Sequence, residues 1–364
     1  MKPLPLFFIC LLILGCSKAQ EAERPAEGLL LRNVLVTSSA EPTDILIQDS
    51  KIKLIQPGIE YSGEEIDCSG LTALPGFIDT HVHLGFFKPS EVLSGGLTTV
   101  RDLGWEPSLA FSWVKDSKQP EWGPAVLAAG PMLTAEGGYP LKASWAPPGT
   151  GRVYQVGQLR ELRDSGSCII KVTLEPRAGP TLSEEALTQL VAEAEQLQME
   201  VVAHVSTLPE LKKALRAGVR QFAHFLFDDS EIPADLLDEM IENQVVVIPT
   251  LRANPSPTRI DNLKRFHAAG GKVVYGTDLG NGGRPGIDLA ELLLMQQAGM
   301  SPQEILDSAT ADAAALLGLP DRGILEAGAV ADLVVVKGDP FQDWDVLANP
   351  VLVVREGVIV LNRL

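Results

Sequence analysis

Cysteine is scarce, with four in 364 residues, and only Cys68 and Cys168 lie beyond the first sixteen. They stand far apart with no C-x-x-C spacing, which excludes a cysteine zinc site and a disulfide framework. An oxidising compartment would permit one bridge between them, but Cys168 opens an apolar run and is expected to be buried instead. Positive charge is also short: 30 Lys and Arg stand against 47 Asp and Glu, a formal charge of −17. No basic stripe is available to neutralise a phosphate backbone, which excludes nucleic acid as a partner and leaves small molecules or peptides. The acidity alone says only that the surface is well solvated. No G-x-G-x-x-G follows the first strand of the main body, so a dinucleotide fold is not indicated.

What is present is the composition of a globular α/β protein: 45% hydrophobic residues, with 33 Gly and 26 Pro for turns. The length suits one barrel of about 250 residues with a smaller attached unit. The first residues read MKPLPLFFICLLILGC, one Lys before an apolar run too short to span a bilayer and right for an export signal. Its end, Ile13-Leu14-Gly15-Cys16, resembles the lipobox of bacterial lipoproteins. That resemblance implies acylation at Cys16, attachment to a membrane and, with Ser17 next, the outer membrane facing the periplasm. The alternative is an ordinary cleaved signal. Residues 1–16 are thus expected to be a lipoprotein signal and 17–27 a polar tether.

Residues 28–73 alternate short apolar runs (LLLRNVLVT, DILIQ, KIKLIQ) with turn residues and predict small antiparallel strands. The stretch 320–364 repeats this in ADLVVVKG and VLVVREGVIVL, so both termini are expected to build one small β-sandwich. Between them, 74–319 cycles between strand runs (AVLAAGP, CIIKVTL, EVVAHVS, QFAHFLF, VVVIPTL, KVVYGTD) and amphipathic helical runs such as SEEALTQLVAEAEQLQ. Capping boxes are expected at Thr181 to Glu184 and at Ser301 to Glu304. With HVHL and GGLTTVRDL the strands number eight, which predicts an α/β (β/α)8 TIM barrel over an open doubly wound sheet.

Only five histidines occur. His81 and His83, in LPGFIDTHVHL, are two apart on a strand and share a face, so two imidazoles can grip one metal. Alone this pair is weak evidence. His204 and His224, however, each sit at the C-terminal end of a later strand run, where this fold gathers its catalytic groups. Asp278 ends the last strand; it is either a metal ligand and base or an Asx cap for the turn GNGG. Lys171 lies inside the apolar run CIIKVTL, where burial takes its proton or demands a partner, unless the chain snorkels. His267, in RFHAAGG, reads as a solvated helix residue.

PGFIDTHVH, GGLTTVRDLG, the strand histidines, the terminal GTD and ADLVVVKGDP together resemble the amidohydrolase superfamily, from about residue 28 to the C-terminus. The resemblance implies two divalent metal ions, with His81, His83 and Asp278 on one, His204 and His224 on the other, and carboxylated Lys171 bridging. It also implies a metal-bound hydroxide as nucleophile, with Asp278 as catalytic base. Imidazole and carboxylate donors suit zinc. A single-metal deaminase typically carries Glu three residues after the strand-five histidine; here that position is Thr207, which favours hydrolysis. The strand-six segment AHFLFDD departs from relatives that have Gly after the histidine.

Short connections after His83 and after Thr250 leave no room for a large lid there, so the pocket is expected to be assembled from short loops. Arg177, Arg252 and Arg284 are candidates to bind a substrate carboxylate bidentately, or else are solvated surface charges. The chain looks most like the prolidase and imidazolonepropionase-related group, cleaving the C–N amide bond of dipeptides or N-acyl amino acids. Alternatives are hydrolysis of cyclic amides or lactones, and a non-catalytic lipid-anchored metal- or solute-binding protein.

Overall fold

The computed structural model describes residues 28–36, 41–280 and 282–364. The expected signal, the tether and Cys16 lie outside them. Among the described residues, no helix is long and apolar enough to cross a membrane.

Eight parallel strands form the barrel: β1 (Phe77–Val82), β2 (Leu97–Asp102), β3 (Ala125–Ala128), β4 (Ile170–Leu174), β5 (Val201–Val205), β6 (Gln221–Ala223), β7 (Val246–Ile248) and β8 (Lys272–Val273). Ladders run β1 to β3 and β4 to β8. Single backbone bonds close the circle. Cys168 N–H donates to Ala128 C=O (2.9 Å) between β3 and β4, while Asp278 N–H to His81 C=O (2.9 Å) and His83 N–H to Leu279 C=O (2.7 Å) join the end of β8 to β1. Helices alternate with the strands, several with Pro in the first turn, where its missing N–H costs nothing.

Both termini contribute to a second, eight-stranded sheet. Its order is Val358–Asn362, Leu352–Arg355, Leu333–Lys337, Leu71–Pro75, Leu29–Val36, Thr43–Gln48 and Lys51–Gln56, with Glu64–Asp67 also on Leu29–Val36. Its two halves share one apolar core, including Leu31, Ile45, Ala73, Leu333 and Val354. Two of its hairpins turn on Asp49-Ser50 and Glu356-Gly357, all four residues at positive φ, the backbone that matches strand twist in two-residue turns. Main-chain pairing of Leu71–Pro75 with Leu333–Lys337 brings the two chain ends together directly before β1.

Several local expectations need correction. Cys168 is exposed and Cys68 buried, and both are free thiols. Cys168 precedes β4, and strand alternation sends its neighbour Ile169 inward in its place. The box at Ser301 and Glu304 forms, but the other helix starts at Glu184 with Ser183 as its cap, while Thr181 bonds Glu210. The pocket is not made of short loops alone. The connection from Ala129 to Ile169 is a long excursion with two short strands (Met132–Thr134 and Gly151–Val153) and a helix. Its polar and Gly/Pro-rich sequence hides a structured loop that folds back over the barrel mouth.

Candidate metal centre and active site

All six expected metal-binding residues line one cavity of about 170 Å³ at the C-terminal ends of the strands. Lys171 and His204 face it from β4 and β5; Ile169 and Val202, two residues earlier on the same faces, belong to a small apolar cluster beneath, with Ala223 and Ile248. His81 lies on β1, His83 directly follows it, His224 follows β6, and Asp278 follows β8. His224 and Asp278 have φ of 70° and 58°, and Thr250, following β7, has 43°. Left-handed backbone at three non-glycine strand ends is costly and typical of sites where side-chain aim outweighs local strain.

The signature segments FIDTH and GTD are tied to one another. Asp79, fully buried, accepts from Thr277 Oγ1 (2.6 Å), Thr277 N–H (3.1 Å) and His81 N–H (3.0 Å). Burial pushes its carboxyl up to about 7 against these bonds. Gly276 is needed beside it, since a Cβ there would lie 2.4 Å from Ile248 and 3.1 Å from His81. The result places Asp278 Oδ1 3.3 Å from His81 Nε2 and 3.1 Å from His83 Nε2.

Three histidines have one ring nitrogen engaged and the other turned to the site. His83 Nδ1–H donates to the Gly104 carbonyl (3.0 Å), which can only accept, and this turns Nε2 to the site, 3.1 Å from Asp278 Oδ1. His224 Nδ1 meets Thr250 Oγ1 at 2.6 Å. His204 Nε2–H donates to Glu175 at 3.3 Å, leaving Nδ1 for the site. Burial pushes the Glu175 carboxyl up, but His204 and Arg177 outweigh it and hold it low and ionised. Burial lowers His81, His224 and His204 below the usual imidazole value, which keeps them neutral, the form that binds metal. In His83 the bond to Asp278 overcomes burial and raises it. Asp278 is pushed up by burial, but its contact with the raised His83 outweighs this and holds it well below the carboxylate range.

The donor set fits a metal centre. His81 is fully buried with no hydrogen-bond partner on either ring nitrogen, and Lys171 Nζ, on a side chain 1% exposed, also has none. Unpaired buried polar atoms are costly, and a bound cation and a bridging group would satisfy them. One ligand atom from each of His81, His224 and Asp278 lies within 4.8 Å of the others. The His204 and His224 rings are 4.5 Å apart. Burial, reinforced by Arg101, takes the Lys171 amine down to about 7 despite the pull of Asp278.

The three arginines lie elsewhere. Arg177 pairs with Glu175 (2.9 Å), Arg252 with Asp288 (2.9 Å), and Arg284 is exposed beside a neighbouring cavity that Arg252 also lines. None of the three lines the cavity of the histidines. His267 is half-buried on its helix, 3.5 Å from Glu304. Sequence reading missed Glu175, Thr250 and the rings Phe86, Tyr139, Trp145 and Phe227. Glu175 had a signal, an acid directly after the Lys171 strand; the rings had none, since nothing local says that they converge.

A buried set of four imidazoles with a carboxylate, at the C-terminal mouth of a (β/α)8 barrel, defines the class of metal-dependent barrel hydrolases. The chain belongs to the amidohydrolase family, whose model matches residues 72–360. An uncharacterized protein of Mycobacterium tuberculosis (strain ATCC 25618 / H37Rv) is 26% identical over 350 residues, 81% of this chain and 87% of that one. Ochratoxinase of Aspergillus niger is 27% identical over 188 residues, 46% of this chain and 38% of its own. Among solved structures, a Xaa-Pro dipeptidase with bound methionine in the active site has TM-score 0.77 at 24% identity, covering 91% of this chain and 99% of that chain. A. niger ochratoxinase has TM-score 0.76 at 19% identity, covering 93% and 96%. At these identities the structural likeness is one of fold.

Proposed function

We propose that this enzyme hydrolyses the C–N amide bond of a dipeptide or N-acyl amino acid at a centre of two divalent metal ions, zinc by the chemistry of its donors. One observation carries the reading: Lys171, a buried amine without a partner, faces four histidines and Asp278. Its neutral nitrogen can attack CO₂, forming an N–C bond and losing a proton, to give a carbamate that would add an anionic ligand for the ions. His81, His83 and Asp278 would hold one ion and His204 and His224 the other. Such a pair of ions supplies an activated water and polarises the substrate carbonyl.

The protein's own groups do the rest. Asp278, held ionised by its histidine neighbours, takes the proton of the attacking water and returns it to the departing nitrogen, which must leave as a neutral amine. Glu175, Thr250 and the Gly104 carbonyl fix which nitrogen of His204, His224 and His83 faces the cavity.

Metal analysis of the purified chain, with turnover assays on dipeptides, N-acyl amino acids and lactones, tests the reading. Cleavage of a C–N substrate by the metal-loaded protein is expected; its absence across the panel would overturn the assignment. From the first sixteen residues we further propose export and lipid attachment through Cys16 to the outer membrane, facing the periplasm. A labelled fatty acid should then be incorporated into the wild type and not into Cys16→Ser.

A further inference from the structure

Aromatic residues make up 5% of the chain, yet they dominate the part of the cavity wall that does not hold metal. That wall consists of Phe86, Met132, Tyr139, Trp145, Phe227 and Gly280. The rings abut the metal-binding side chains from two sides. Trp145 lies 5.4 Å from His83, 5.9 Å from Phe86 and 6.2 Å from Tyr139. Opposite, Phe227 lies 4.6 Å from His224. Phe86 is 41% exposed, and Tyr139 and Trp145 are half-buried, so this apolar surface opens to solvent at the mouth. Exposed rings grouped beside a reactive centre are surface kept for a ligand, since a core would have covered them.

Size and charge narrow the ligand. At about 170 Å³, part of it between the histidines, the cavity is close to the roughly 150 Å³ that suffices for benzene, which favours a group no larger than one ring. Among the described residues Lys171 is the one Lys or Arg side chain lining it, and the guanidinium of Arg177, 6.0 Å from the Phe227 ring, is paired with Glu175. Recognition at the mouth therefore falls on ring faces and edges.

We propose that the site selects substrates carrying a single uncharged, planar aromatic group next to the scissile bond, seated against Phe86, Tyr139 and Trp145. This rests on the hydrolase reading above for the bond cleaved, but not for the ring bound. Rings at 4.5–7 Å centroid spacing gain edge-to-face and offset contacts that a saturated ring of equal area does not.

The test is calorimetric titration of the metal-loaded full chain with benzamide and with cyclohexanecarboxamide, beside turnover of matched phenyl and cyclohexyl amides. Benzamide is expected to bind about three- to tenfold tighter. The preference should vanish in Trp145→Ala, weaken in Phe86→Ala and largely return in Trp145→Phe, which controls for folding. Equal binding of the two amides, or a preference that survives both alanine variants, overturns the proposal. If the preference is present but no amide is cleaved, ring recognition stands and the hydrolase reading fails; cleavage without the preference is the reverse.

Discussion

Three of the four cavity histidines, His83, His204 and His224, have one ring nitrogen held by a partner, which fixes how the ring is presented to the cavity. Glu175 acts on His204 by accepting from Nε2, and Thr250 acts on His224 through Nδ1. Outer partners of metal-binding histidines are worth about 10- to 100-fold in metal affinity or activity. Glu175→Gln and Thr250→Val are therefore expected to weaken metal binding by that order while leaving the melting temperature nearly unchanged; chelator competition reads this directly. Undiminished metal affinity in both would mean that these bonds orient nothing. At this scale the sequence was informative where chemistry is rare. Five histidines in the whole chain made the placement of four of them meaningful, and Lys171 stood out because a strand interior is a poor place for an amine. Arginine carries no such signal: Arg177 and Arg252 found carboxylates close by, and a sequence does not reveal which ion pairs close.

The element that organises the site is the junction of β1 with the end of β8, pinned by Asp79. Its side chain accepts three hydrogen bonds, so Asp79→Ala would strand the Thr277 hydroxyl and two backbone N–H groups in the core. A loss of about 1–3 kcal/mol for each group left unsatisfied is expected. Asp79→Asn keeps the acceptor toward both N–H groups, and the Thr277 hydroxyl can rotate to accept, so it should lose less. Urea unfolding of the two variants measures the difference; equal stability would remove the pin from the account.

Asp44 plays a comparable part in the terminal sheet, accepting from Asn33 N–H, Ile59 N–H and Arg32, each at 3.0 Å. Burial pushes its carboxyl up, but the two backbone N–H groups and Arg32 prevail and lower it from 3.8. A carboxylate lowered on folding stabilises fully above its unfolded value, and that stability is lost as pH falls through the folded one. Acid unfolding followed from pH 5 downward should therefore be shallower in Asp44→Asn than in the wild type; identical profiles would contradict this. The elements themselves were largely legible, because short continuous apolar runs and period-3.6 patterns alternate from Phe77 onward. The connection between β3 and β4 was not, since its fold depends on packing over the barrel mouth and not on any local repeat.

At the scale of the molecule, the terminal sheet holds the two chain ends beside the start of β1, and the barrel converts eight strand ends into one cavity. The fold class could be read from the order of strand and helix patterns, and the cavity lining in part, since four histidines, Lys171 and Asp278 sit at or near the ends of β1, β4, β5, β6 and β8. The aromatic mouth could not, because Phe86, Tyr139, Trp145 and Phe227 come from three separate connections and meet only when the barrel closes.

The proposed two-metal centre depends on Lys171. The most direct test is metal stoichiometry and turnover for wild type and Lys171→Ala, with and without a short carboxylic acid. Two ions per wild-type chain are expected, with loss of metal and activity in the variant and partial recovery of both on adding the acid. A Lys171→Ala protein that still binds two ions and keeps full activity would contradict it.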